Sequence, residues 1–95
     1  MRYRPRLDAT HKAVVAALRE IGCSVTSLAA VGGGCPDLLC GIAGRTVLLE
    51  VKSAKTVRRK KRETTTPQDT WVGSWRGGLV AVVHSVEEAL DAIER

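Results

Sequence analysis

Residues 34–52 read GCPDLLCGIAGRTVLLEVK, two apolar runs separated by a short turn. Asp37 to Cys40 is expected to form a short strand, Gly41 to Gly44 the turn, and Arg45 to Ser53 the longest strand of the chain. If the turn is centred between Ala43 and Gly44, position 37 lies opposite position 50, since both are equally far from that centre. Cross-strand partners hold their Cβ atoms ~5 Å apart, so this register brings the carboxylates of Asp37 and Glu50 together. A different register would spoil the pairing, and the sequence alone does not fix it. Glu50 and Lys52 are two apart on one strand and share a face, while Val51 points the other way. Charges inside a run such as TVLLEVKS need a partner or a function.

Upstream, Asp8 is placed to cap a helix that runs to about Ile21 and stops at Gly22. Val14, Leu18 and Ile21 recur at helical spacing, and Val15 widens the stripe. Cys23 to Ala29, rich in Val and Thr, reads as a first strand, broken by Gly32, Gly33 and Gly34. Downstream, Thr66 and Pro67 open a second helix that ends at Gly77-Gly78. Leu79 to His84 is an apolar strand. Ser85 and Glu88 form a capping box for a last helix carrying Val86, Leu90 and Ile93. The order αβββαβα predicts an α/β chain, a mixed sheet of about four strands flanked by helices. The 95 residues suit one domain, 1–95, with a basic arm at 1–7 and a basic loop at 54–65.

The hydrophobic share is 44%, and the aromatics are only Tyr3, Trp71 and Trp75. The core must therefore come from Val, Leu, Ile and Ala. Trp71 and Trp75 stand four apart on one helix; they either fill that core or stack on unpaired bases, and core is the commoner role. The net charge of +5 is local. From Lys52 to Arg62 there are seven basic residues and no acid. Such a patch suits a polyanion, although a single charge run is more often a solvated loop. No apolar run approaches the ~20 residues that span a bilayer, so no membrane partner is expected. Three cysteines and no signal-peptide pattern favour reduced thiols and a cytoplasmic setting.

The spacing of Cys23, Cys35 and Cys40 lacks a second ligand pair, so zinc is not expected. Gly32 to Gly34 leads into a strand without a Lys-Ser/Thr end, so no nucleotide cofactor is expected. No Ser-His-Asp or Cys-His arrangement can be built from two histidines in these places. What remains is the pair Asp37 and Glu50, with Lys52 beside them. A divalent cation between two close carboxylates relieves their repulsion, and oxygen ligands with open water positions suit Mg2+ or Mn2+. Such an ion activates water and polarises a phosphodiester, and Lys52 would orient that water or stabilise developing charge. The bland alternative is that Glu50 and Lys52 form an exposed ion pair on a half-solvated sheet.

The segment Gly34 to Lys52 resembles the Pro-Asp…Glu-x-Lys signature of the PD-(D/E)XK nuclease superfamily. From about Thr10 to Ile93 the chain resembles its compact VRR-NUC branch, found alone in phages and as a domain of larger repair nucleases, and it is similar to archaeal Holliday-junction resolvases. The resemblance implies a restriction-endonuclease-like core. It implies metal ligation by Asp37, Glu50 and the Val51 carbonyl, and catalytic roles for Asp37, Glu50, Lys52 and Gln68. Many relatives place a Glu on the first helix; the matching position here is His11. That residue reads as a second-sphere or phosphate-contacting group, or as a solvent-facing helix residue.

Gly33 and Gly34 would let a nucleic-acid backbone approach, and Lys55, Arg58, Arg59, Lys60, Lys61 and Arg62 would grip phosphates without reading sequence. The arginines of the 1–7 arm would add to that grip. The expected function is magnesium-dependent cleavage of branched DNA, Holliday junctions first, by a homodimer in the cytoplasm of a bacterial or phage-infected cell. Cleavage of flaps, forks, nicks or DNA ends is one alternative. A DNA-binding module without catalysis is another, and an accessory subunit that recruits a protein partner is a third.

Overall fold

The computed structural model of the chain describes residues 9–53 and 66–95, and its sheet is organised by the reversal at Ala43 and Gly44. Both turn residues have left-handed backbones, with φ of 52° and 77°. Paired positive φ values mark a two-residue type I′ hairpin, whose twist matches that of the flanking strands. The turn fixes the register: Leu38 pairs with Leu49, Cys40 with Val47, and Ile42 with Arg45. Strand β2 (Leu38–Ile42) therefore runs two residues beyond the expected Cys40, and strand β3 spans Arg45–Val51. Gly41, assigned to the turn on composition, sits in the ladder opposite Thr46.

Strand β1 (Ser24–Ser27) pairs antiparallel with β2, and β4 (Val80–Val83) pairs parallel with β3. The sheet is thus mixed, in the order β1-β2-β3-β4. Helix α1 (Ala9–Glu20) precedes β1, α2 (Thr66–Ser74) precedes β4, and α3 (Val86–Glu94) follows it. The order αβββαβα is the one the sequence predicts. Asp8, the 1–7 arm and the 54–65 loop lie outside the described residues. No helix among the described residues is long and apolar enough to cross a membrane.

One face of the sheet carries the core. Leu38, Cys40, Val47, Leu49 and Val83 pack against Val14 and Leu18 of α1 and Ala89, Ala92 and Ile93 of α3. Each fully buried leucine contributes roughly 1.5–3 kcal/mol. Helix α1 closes as expected at Gly22, which has a φ of 98°, and the amides of Gly22 and Cys23 return to the carbonyls of Arg19 and Leu18. Ile21 rides on that turn and is 50% exposed, so it is not the third core residue of the stripe. On α3 the innermost positions belong to Ala89 and Ala92, while Val86 and Leu90 are partly buried.

The start of α3 departs slightly from a capping box. Ser85 Oγ accepts from the Glu88 amide at 3.1 Å. Glu88 Oε1 in turn accepts from the amide of His84, at 2.8 Å, rather than from that of Ser85. It also meets His84 Nδ1 at 3.0 Å. These bonds to His84 hold the Glu88 carboxyl below its ordinary range.

By strand alternation, Leu39, Leu48, Glu50, Val80 and Val82 lie on the opposite face. Helix α2 covers part of that face, and it supplies Gln68, Asp69, Val72 and Gly73 to a cavity shared with Glu50, Val80 and Val82. Trp71 and Trp75 are on this helix or at its end, and neither joins the core, where at least one was expected. They stack on each other with ring centroids 4.9 Å apart. Trp75 is 41% exposed, and its indole N–H donates to the Gly78 carbonyl at 3.1 Å.

Candidate active site

The hairpin ladder ends at Leu38 and Leu49, and its next step outward is Asp37 facing Glu50. The chain enters β2 through Pro36, which is fully buried, and the Asp37 carbonyl accepts from the Leu28 amide at 2.6 Å. Asp37 is therefore tied at its backbone to the segment after β1. Its side chain is tied to β3, where Asp37 Oδ2 accepts from the Val51 amide at 2.9 Å. A carboxylate anchored on both sides of a hairpin has little freedom to turn away.

Glu50 projects from β3 on the α2 face, and Val82 is its partner on β4. Lys52 Nζ lies 3.7 Å from Glu50 Oε2, with side chains 16% and 15% exposed. This is not the exposed surface pair of the bland alternative. The Lys52 amide donates to the Val83 carbonyl at 2.9 Å, which fixes the lysine backbone at the carboxyl end of the parallel pair. Glu50 has its carboxyl pushed above the ordinary range, first by burial and second by the charge of Asp37. A hydrogen bond from Gln68 and the charge of Lys52 oppose that shift.

Gln68 is brought to Glu50 by backbone packing. Gly34 has a φ of 89°, and a Cβ there would run into the carbonyl group of Pro67 and lie 2.9 Å from the Gln68 nitrogen. The first turn of α2 is thus pressed against the loop that leads into Asp37. The absence of a side chain at Gly34 is what lets the chain's own helix dock here, a reason for the glycine beyond the expected approach of a nucleic-acid backbone. Gly33 has a φ of 65° and open space where a Cβ would stand. Gln68 is buried, 8% exposed.

Three further residues join the site. The Cys35 thiol is raised above its ordinary value, first by burial and then by the charges of Glu50 and Asp37. Cys35 stands two residues before Asp37, in the loop that leads into β2. Pro36 and Asp69 line, with Glu50 and Gln68, a cavity of about 270 Å³ walled by Val72, Val80 and Val82. Asp69 follows Gln68 directly and carries no motif of its own. All three cysteines are free, and burial pushes the Cys40 thiol up to about 11.

His11 is not part of this cluster. It is 7% exposed, which excludes the solvent-facing reading. It lines a second cavity together with Leu38 and Ser27, on the sheet face opposite Glu50. Lys55, Arg58, Arg59, Lys60, Lys61 and Arg62 lie outside the described residues.

Among the described residues no group of three or more His, Cys, Asp or Glu side chains is arranged to hold a metal ion. The donor set at the hairpin end is two carboxylates. That set fits magnesium, a hard cation that keeps several waters and takes one or two protein carboxylates. The raised Glu50 carboxyl fits it too, because Asp37 and Glu50 repel each other and a second positive charge relieves both. Compared with models of protein families, with curated proteins and with solved structures, the chain matches none.

Proposed function

We propose that this chain is a magnesium-dependent nuclease that hydrolyses phosphodiester bonds in DNA. The observation that supports this reading most directly is the hairpin end, where Asp37 meets Glu50 and Lys52 lies 3.7 Å from Glu50. Asp37, Glu50 and the Val51 carbonyl would hold Mg2+, or Mn2+ in its place. The ion supplies charge at a phosphate oxygen and acidity for the attacking water. Asp37 is held toward that position by the Val51 amide. Glu50 is kept beside it by Gln68 and Lys52. Lys52 presents a cation at the rim, where it orients the water or stabilises charge that builds on the phosphate. Gln68 fixes Glu50 and closes the α2 side.

The basic residues from Lys55 to Arg62 follow Lys52 in the sequence and would grip phosphates beside the site. The resemblance to the VRR-NUC branch and to junction resolvases gives the substrate: branched DNA, Holliday junctions first, cut by a homodimer with two active sites. The setting is the cytoplasm of a bacterial or phage-infected cell.

The deciding experiment incubates the purified chain with labelled Holliday junctions, flaps, forks, nicked duplex and linear duplex, with and without Mg2+. Cleavage of branched substrates that needs Mg2+ and vanishes in Asp37→Asn supports the reading. Tight DNA binding without cleavage under any metal would leave a binding module instead.

A further inference from the structure

A second cavity, of about 340 Å³, lies between α1 and β1, and the site described above does not use it. Its volume is within the range of small-ligand pockets. Helix α1 lays His11, Lys12, Val15, Ala16 and Arg19 along it, and Val25, Ser27 and Leu38 close the sheet side. The positions 11, 15 and 19 recur every fourth residue, so they form one continuous helical stripe. Lys12 and Arg19 stand seven residues apart, or roughly 10 Å along the axis. Among the described residues no acidic side chain lines the cavity. Its ends are basic and its middle, Val15, Ala16, Val25 and Leu38, is apolar.

The two ends are not equivalent. Arg19 Nη2 donates to the Val25 carbonyl at 3.1 Å, which closes one end. α1 and β1 run in opposite directions, so His11 and Lys12 stand at the other end, beside Ser27 and its strand partner Leu38. Leu38 directly follows Asp37. A ligand here would place an anionic group at Lys12 and Ser27, beside His11, and a flat apolar body along Val15, Ala16 and Val25.

We propose that this cavity is a binding site for a single nucleotide unit, with its phosphate at the His11–Lys12 end and its base against the valines. The unit is either a free mononucleotide or one residue of a DNA strand, and the phosphate and base are common to both. Binding needs no metal and no cleavage, so it stands or falls separately from the nuclease reading.

The test is an amide NMR titration of the full chain in EDTA, which keeps cations away from Asp37 and Glu50. One arm uses deoxythymidine 5′-monophosphate, and the other uses a short oligothymidylate. Shifts at Lys12, Val15, Arg19 and Val25 in either arm support the site. Shifts with the mononucleotide identify free nucleotide as a ligand; shifts with the oligomer alone identify the strand. Lys12→Glu, an exposed change on α1, should weaken that binding by roughly tenfold while the rest of the spectrum stays in place. Absence of shifts at α1 and β1 at millimolar ligand overturns the proposal. So does an equal response to thymidine, which lacks the phosphate.

Discussion

Gly34 and Pro67 are packed so closely that a Cβ on the glycine would collide with the proline carbonyl. That contact joins the loop before Asp37 to the helix that carries Gln68. Gly34→Ala adds this collision to a left-handed backbone with φ of 89°. The expected loss of stability is about 2 kcal/mol or more, together with displacement of α2. Gly33→Ala has a similar φ but open space, so only backbone strain of about 1 kcal/mol should appear. Chemical denaturation of the two variants checks the contrast, and equal losses would show that the Pro67 contact carries no weight.

The Glu50 carboxyl is raised by burial and by Asp37, so the folded state holds its proton more tightly than the unfolded chain does. A raised carboxyl contributes stability below its unfolded value, and that contribution is lost as pH rises through the folded value. At neutral pH the ionised Glu50 is therefore a net cost to folding. Glu50→Gln should raise the metal-free melting temperature at pH 7, and the gain should fade in acid near the ordinary carboxylate range. Mg2+ should stabilise the wild type and do much less for the variant, because a ligand that binds only the folded state shifts unfolding. Calorimetry at two pH values, with and without Mg2+, decides it. A lower melting temperature for Glu50→Gln at pH 7 would contradict the sign.

Ala43 occupies a left-handed backbone at φ 52°, which costs an alanine roughly 1–2 kcal/mol. Asn-Gly is the favoured pair for a type I′ turn. Ala43→Asn, in front of Gly44, should therefore stabilise the domain by about 0.5–1 kcal/mol without touching the site. Ala43 is remote from Asp37, Glu50 and Lys52 in the ladder, so any cleavage of the kind proposed above should be unchanged in this variant. An unchanged or lowered midpoint in urea would mean that the turn is not of this type.

The hairpin shows why part of the site was legible in the sequence. Strand pairing is arithmetic once the turn centre is known. The sequence allowed a centre at Ala43 and Gly44 without fixing it, and the left-handed backbones there set the register that puts Asp37 opposite Glu50. Local signals likewise placed the caps at Gly22 and Ser85. Contacts between distant segments left no such trace. Gly34 read as an opening for a ligand because nothing local says that Pro67 will fill the space. His11 read as optional because nothing local to α1 says that this position will be buried. The tryptophans read as core because aromatics at helical spacing usually are; their helix instead covers the less buried face, and which face α2 takes is a tertiary choice.

Lys52 is held at two points, its amide on Val83 and its ammonium near Glu50. The backbone bond survives any side-chain change, so Lys52→Gln should fold and keep its place in the sheet. If the ammonium serves the reaction, cleavage should fall by about 10²–10³, the scale for removing one group that stabilises transition-state charge. The Mg2+-dependent rise in melting temperature should persist, because Asp37 and Glu50 remain. DNA affinity should drop only slightly, since six other basic residues of the 52–62 stretch are untouched. Single-turnover cleavage beside a filter-binding assay separates these effects. Loss of binding in step with loss of cleavage would make Lys52 one more phosphate contact and remove it from the chemistry.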